Sequence, residues 1–92
     1  MKTYQRRKGV IAWQYDTEEN FWKWIKEAKF TLGFDTEEQL LGLKVNIFSD
    51  FGLEKSFFVH KGDWIVFELN NFTVYDNKTF KKLFKEMRQY DV

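Results

Sequence analysis

Apolar side chains recur along this chain with two different periods, and the points where one period replaces the other mark the elements. Val10-Ile11-Ala12-Trp13-Gln14-Tyr15 is rich in β-branched and aromatic residues and predicts a first strand. Asp16-Thr17-Glu18-Glu19 then signals a helix start, with Asp16 as cap and Glu19 reaching back in a capping box. Phe21, Trp24, Ile25 and Ala28 follow at i, i+3, i+4 and i+7, the stripe of a helix lying on a core, with Lys23, Lys26 and Glu27 toward water. Trp22 falls outside that stripe.

The same tetrad returns as Asp35-Thr36-Glu37-Glu38, but Gly42 leaves room for barely a turn, so a short helical turn is predicted there. Phe30 and Phe34 flank it and are expected to pin the connection to the core. From Leu43 the period becomes two: Leu43, Val45 and Ile47 alternate with Lys44, Asn46 and Phe48. Asp50-Phe51-Gly52 reads as a turn, Ser56 to His60 as a strand, and Lys61-Gly62-Asp63 as a tight turn. Trp64 to Leu69 alternates again, with Ile65, Phe67 and Leu69 on one face and Trp64, Val66 and Glu68 on the other. Asn70-Asn71 suits a two-residue hairpin loop before a last strand, Phe72 to Tyr75. Asp76 or Asn77 can cap a final helix in which Phe80, Leu83, Phe84 and Met87 repeat the helical stripe.

These elements predict an α+β domain spanning residues 1–92: an antiparallel β-meander sheet of about five strands, a helix in the N-terminal half and a helix at the C-terminus. A chain of 92 residues has room for one core, and no Pro-rich or polar linker interrupts it. Only the first few residues are expected to fray.

Composition changes this picture in one respect. The chain holds 11 Phe, 4 Tyr and 4 Trp, so 21% of its residues are aromatic, more than a single small core is expected to enclose. Phe21, Trp24, Phe67, Phe72, Phe80 and Phe84 take inward positions. Trp13, Trp22, Phe48, Phe58, Trp64 and Tyr75 compete for the remaining space. Surplus rings on a surface mark an interface, and Trp22, Phe48, Phe58 and Trp64 are the candidate protein-binding residues. A protein partner or a second copy of the chain would cover them.

Candidates for chemistry are few. The absence of Cys removes disulfides, thiolate nucleophiles and Cys-based metal sites, and points to a reducing compartment. His60, the only histidine, falls on the strand face opposite Phe57 and Val59 and reads as a surface or half-buried imidazole. Asp50, Glu54 and Asp63 are explained as turn and surface residues, and no metal site or cofactor is expected. Ser49 and Ser56 lack the strained glycine-flanked turn of a hydrolase nucleophile. Paired acids at Glu18-Glu19 and Glu37-Glu38 are accounted for by helix starts. No phosphate-cradling glycine loop occurs. The expectation is a binding protein, not an enzyme.

The net charge of +1 conceals an uneven spread: +4 over residues 1–10, +3 over residues 77–92 and −6 between them. Arg6, Arg7 and Lys8 together with Lys78, Lys81, Lys82 and Lys85 make nucleic-acid binding the competing expectation, with the acidic middle arguing against it. No run approaches the ~20 apolar residues of a membrane span, nor does the basic start lead into a signal-peptide core. A soluble, unprocessed protein is expected.

The order Tyr4-Gln5-Arg6-Arg7-Lys8-Gly9-Val10-Ile11 with Trp13-Gln14, then Lys61-Gly62-Asp63-Trp64-Ile65-Val66, then an aromatic strand leading into Phe80 and Phe84, resembles a group of small tailed-phage and prophage accessory proteins. Those share a basic opening, a Gly-Asp-Tyr or Gly-Asp-Trp turn and a Phe-containing last helix. The chain departs from them at Gly9 and at Val74-Tyr75, where the group carries proline. The resemblance implies a context, a phage-encoded protein acting on a host or phage protein in a bacterial cytoplasm, and no activity.

Overall fold

The structure, a computed structural model, describes residues 3–6 and 10–84. Seven strands and two helices follow in the order β1 (Thr3–Arg6), β2 (Val10–Gln14), α1 (Glu18–Ala28), β3 (Gly33–Gln39), β4 (Gly42–Ser49), β5 (Gly52–His60), β6 (Trp64–Glu68), β7 (Asn71–Tyr75) and α2 (Asn77–Leu83). The α+β class with antiparallel strands is as expected. The single five-strand meander is not: the strands divide into a four-stranded sheet, β1-β2-β6-β7, and a three-stranded sheet, β3-β4-β5.

The division follows from which faces need cover. Alternation along β2 and β6 sends Trp13 and Ile65 to one side of the four-stranded sheet, and Tyr15, just past the end of β2, lies with them. There they join Phe21 and Trp24 of α1 and Leu43, Val45, Ile47 and Val59 of the three-stranded sheet in one core. Trp13 stacks on Trp24 at 5.3 Å, and Phe30 closes the core against Phe67 and Phe72. The opposite side presents Ala12, Trp64 and Val66, which α2 covers with Phe80 and Phe84. One sheet therefore carries apolar residues on both faces, and much of the aromatic surplus is absorbed there.

Local signals explain most boundaries. Thr17, not Asp16, caps α1: its hydroxyl accepts from the Asn20 amide at 3.1 Å, while Asp16 accepts from the Asn20 side chain. Asp76 caps α2 by accepting from the Thr79 amide at 2.7 Å. The β6–β7 loop is Leu69-Asn70, one residue earlier than expected, because Phe67 pairs with Phe72 and Glu68 with Asn71. That register places the Phe67 and Phe72 rings 4.7 Å apart and expels Leu69. In α2, Leu83 is more than half exposed and does not join the Phe80–Phe84 stripe. Met87 lies outside the described residues.

The second acidic tetrad departs furthest from expectation. Asp35 to Glu38 is strand, paired with Asn46 to Leu43 of β4. Phe34 packs on the core from β3, and Thr36 points to the same side, where its hydroxyl donates to Glu18 at 2.7 Å.

Candidate protein-binding surface

Three hairpins close with two-residue loops: Leu40-Leu41, Asp50-Phe51 and Leu69-Asn70. Such loops are ordinarily filled by Gly, Asn or Asp, which suit the backbone and face water. Each loop here carries large apolar side chains, and Leu40, Phe51 and Leu69 are all more than nine-tenths exposed.

The β4–β5 and β6–β7 loops lie at the same end of the molecule, since Ile47 and Lys55 beside the first face Asn71 and Phe72 beside the second. At this end Phe48 and Leu53 are cross-strand neighbours, 36% and 59% exposed, with Phe51 at 96% between them in sequence. Gly33 stands opposite Phe48 on β3 and offers no side chain to cover it. The loop is braced: the Phe51 amide donates to the Ser49 hydroxyl at 3.1 Å, and that hydroxyl donates to Glu54 at 2.8 Å. Across the end, Leu69 adopts φ 53°, a left-handed conformation unfavourable for a residue with a branched side chain.

The four rings singled out from sequence part company. Phe48 and Phe58 share the solvent face of the three-stranded sheet, separated there by the Asn46–Ser56 pair, which is joined by a 2.6 Å hydrogen bond. Phe58 is half-buried, with its ring edge-on to His60 at 4.8 Å. Trp22 sits on α1, away from that face, 39% exposed, with its indole N–H donated to Thr36 at 3.2 Å. Trp64 is not a surface residue: it is 2% exposed, stacked on Phe80 with centroids 3.9 Å apart and planes 7° apart. Its N–H is donated to Asn77 at 2.9 Å. It is buried because the sheet face expected to meet solvent lies beneath α2.

Phe51, Leu53 and Leu69 were not among the sequence candidates, although Asp50-Phe51-Gly52 reads plainly as a turn, and a ring on a turn has no sheet face to bury it. That was the available signal. For Leu69 the alternation with Ile65 and Phe67 masks it.

Of the basic residues, Lys78, Lys81 and Lys82 are exposed on α2, away from buried Phe80 and Phe84. Arg6 pairs through its backbone with Val10, and Arg7, Lys8 and Lys85 lie outside the described residues. His60 is exposed; its backbone N–H donates to Asp63 at 3.0 Å and its Nδ1 lies 3.4 Å from the same carboxylate. Among the described residues no group of three or more His, Asp or Glu is placed to hold a metal ion. No helix of the described residues is long and apolar enough to cross a membrane.

Tyr15 is a buried acid with a perturbed phenol. Burial raises its phenol above the ordinary value, and the charges of Glu38, Glu18 and Asp16 add to the effect. The ring is 2% exposed and in edge contact with Trp13 at 5.9 Å, so a place in the core accounts for it.

Comparison with protein-family models, with curated proteins and with solved structures yields no significant match in any of the three.

Proposed function

We propose that this domain is a non-enzymatic binding module that docks on a protein through the apolar end formed by Phe48, Phe51, Leu53 and Leu69. The observation that carries the reading is the placement of Phe51 and Leu69, 96% and 91% exposed on two-residue loops at one end. Neither contributes to the core, and Leu69 occupies its place at a conformational cost. Apolar groups kept outside a core, on braced loops, gain their free energy only when another surface covers them. Phe58 extends the same sheet face, whereas Trp22 would belong to a separate contact.

A phage-encoded module that occupies and redirects a host protein fits a domain of this size, and the resemblance of Lys61-Gly62-Asp63-Trp64 and its neighbours to tailed-phage accessory proteins favours that context. The cytoplasm of a bacterial host is the setting it implies.

Affinity capture from nuclease-treated host lysate tests the reading. One protein should be retained through a high-salt wash and lost with Phe51→Ser or Leu53→Ser, the variants melting like the parent. Retention that depends on nucleic acid, weakens steeply with salt and is lost with Lys78→Glu or Lys82→Glu would instead place function on α2.

A further inference from the structure

The edges of the two sheets do not join. Between β5 and β7, below the α1–β3 connection, they leave a cleft of about 330 Å3. That is at the small end of the range in which proteins hold small molecules. Its apolar wall is a triangle of rings, Phe30, Phe67 and Phe72, with pairwise centroid distances of 4.7 to 5.1 Å, flanked by Leu32 and Ile47.

Lys55 stands at the mouth. Alternation along β5 turns it to the core side, opposite Ile47. Its ammonium donates to the Asn71 side-chain oxygen at 3.0 Å and to the Phe72 carbonyl. An ammonium has three protons, and these two acceptors are neutral. Among the described residues no carboxylate lies within 4 Å of it. Neighbouring Glu54 is the extra residue of the bulge in this strand pair, since Ile47 faces Lys55 and Phe48 faces Leu53, and its carboxylate is engaged by Ser49. The cleft, which Glu54 also lines, therefore joins an apolar wall to a half-buried, positioned cation with no carboxylate within 4 Å among the described residues. Such a charge is costly to desolvate and gains most from an anion that brings its own apolar body.

We propose that this cleft binds a small apolar carboxylate, its hydrocarbon against Phe30, Phe67 and Phe72 and its carboxylate on the free proton of Lys55. The site is separate from the partner surface, although it opens at the same end, and either can fail without the other.

Decanoate, below its micelle-forming concentration, serves as the probe, followed by amide NMR shifts and calorimetry on the full chain. Decan-1-ol and decylammonium are the controls for the head group. Decanoate should move the amides of Leu32, Lys55 and Asn71 and bind at least about tenfold more tightly than either control. Lys55→Met should remove that preference and Lys55→Arg should retain it. Leu32→Trp, which fills the cleft and leaves Lys55 in place, should abolish binding.

Unmoved cleft amides, equal binding of decan-1-ol, or tighter binding of decylammonium would each overturn the assignment. The head-group comparison on the unaltered chain decides even if Lys55→Met does not fold. Partner capture that persists while decanoate fails to bind would leave the docking surface standing and remove the cleft alone.

Discussion

Trp64→Ala separates a residue that builds the fold from one that meets a partner. The ring is 2% exposed, stacked at 3.9 Å on Phe80, and its N–H is donated to Asn77, the first residue of α2. Truncation therefore leaves a cavity under the helix and removes one of the hydrogen bonds holding its start. Removing a buried aromatic of this size costs about 3–5 kcal/mol. At ~4–8 °C per kcal/mol for a domain of this length, the thermal midpoint should fall by at least ~12 °C. Trp64→Phe keeps a ring on Phe80 and loses the indole donor. The Gln14 amide, 3.4 Å from the same Asn77 oxygen, can still satisfy it, so this change should cost only about 1 kcal/mol. Phe51→Ala should stay within about 0.5 kcal/mol of the parent, since almost none of its surface is buried. Thermal unfolding by circular dichroism reads all three. A Trp64→Ala protein that melts within a few degrees of the parent, and still loses partner capture, would refute the placement of Trp64 beneath α2.

Three further outcomes are expected. A Cβ added at Gly42 would sit 2.1 Å from the Val59 carbonyl oxygen, a backbone atom that cannot step aside, whereas one at Gly33 would make ordinary contacts at 3.7 and 3.8 Å. Gly42→Ala should cost about 3 kcal/mol and Gly33→Ala should be neutral or gain up to about 1 kcal/mol; equal urea midpoints would contradict this. Leu69→Asn should relieve the left-handed strain and raise stability by about 0.5–1 kcal/mol while weakening partner capture, and a lowered melting temperature would count against both effects. Because burial and nearby acids raise the Tyr15 phenol, its neutral form is the one the fold favours. The contribution is full below the unfolded value of about 10 and is lost as pH rises through the folded value. Tyr15→Phe should flatten the alkaline loss of stability seen by urea titration, and an unchanged slope would show that Tyr15 does not titrate in the core.

The periodic elements were legible because their signals are local. The α1 stripe of Phe21 and Trp24 and the Asp76 cap are each settled within a few residues, as is the Lys61-Gly62-Asp63 turn. What could not be read was the number of sheets. Apolar residues on both faces of Val10–Tyr15 and Trp64–Glu68 have two explanations: excess rings exposed on one face, or a second layer covering them. Periodicity alone does not distinguish these, and it leaves Trp64 among the outward candidates. The deciding contacts, with Phe80 and Phe84, come from a helix whose docking face is fixed only by the assembled sheet. The binding end was hidden for a related reason. Phe51 is legible as a turn residue, but Leu53 looks like an ordinary strand-flanking residue until the register places it beside Phe48 on the solvent face, next to that turn.

The paired Asp-Thr-Glu-Glu tetrads show the same limit within one chain. At Asp16 the four residues open an eleven-residue helix, Glu18–Ala28, bearing Phe21 and Trp24, so capping begins a helix that repays its nucleation by burying a stripe. At Asp35 identical residues stand between Gly33 and Gly42, with apolar neighbours at Phe34, Leu40 and Leu41, a spacing that makes no stripe. A helix there would have nothing to bury, while β4 offers a partner for seven residue pairs. Pairing outweighs a propensity of tenths of a kcal/mol per residue. The outcome also serves the sheet. β3 is an edge strand, and Asp35, Glu37 and Glu38 along it oppose the addition of a further strand. Charge thus disfavours association along that edge, and the exposed Phe48, Phe51, Leu53 and Leu69 favour it at the hairpin end. This asymmetry favours docking at that end over pairing along β3.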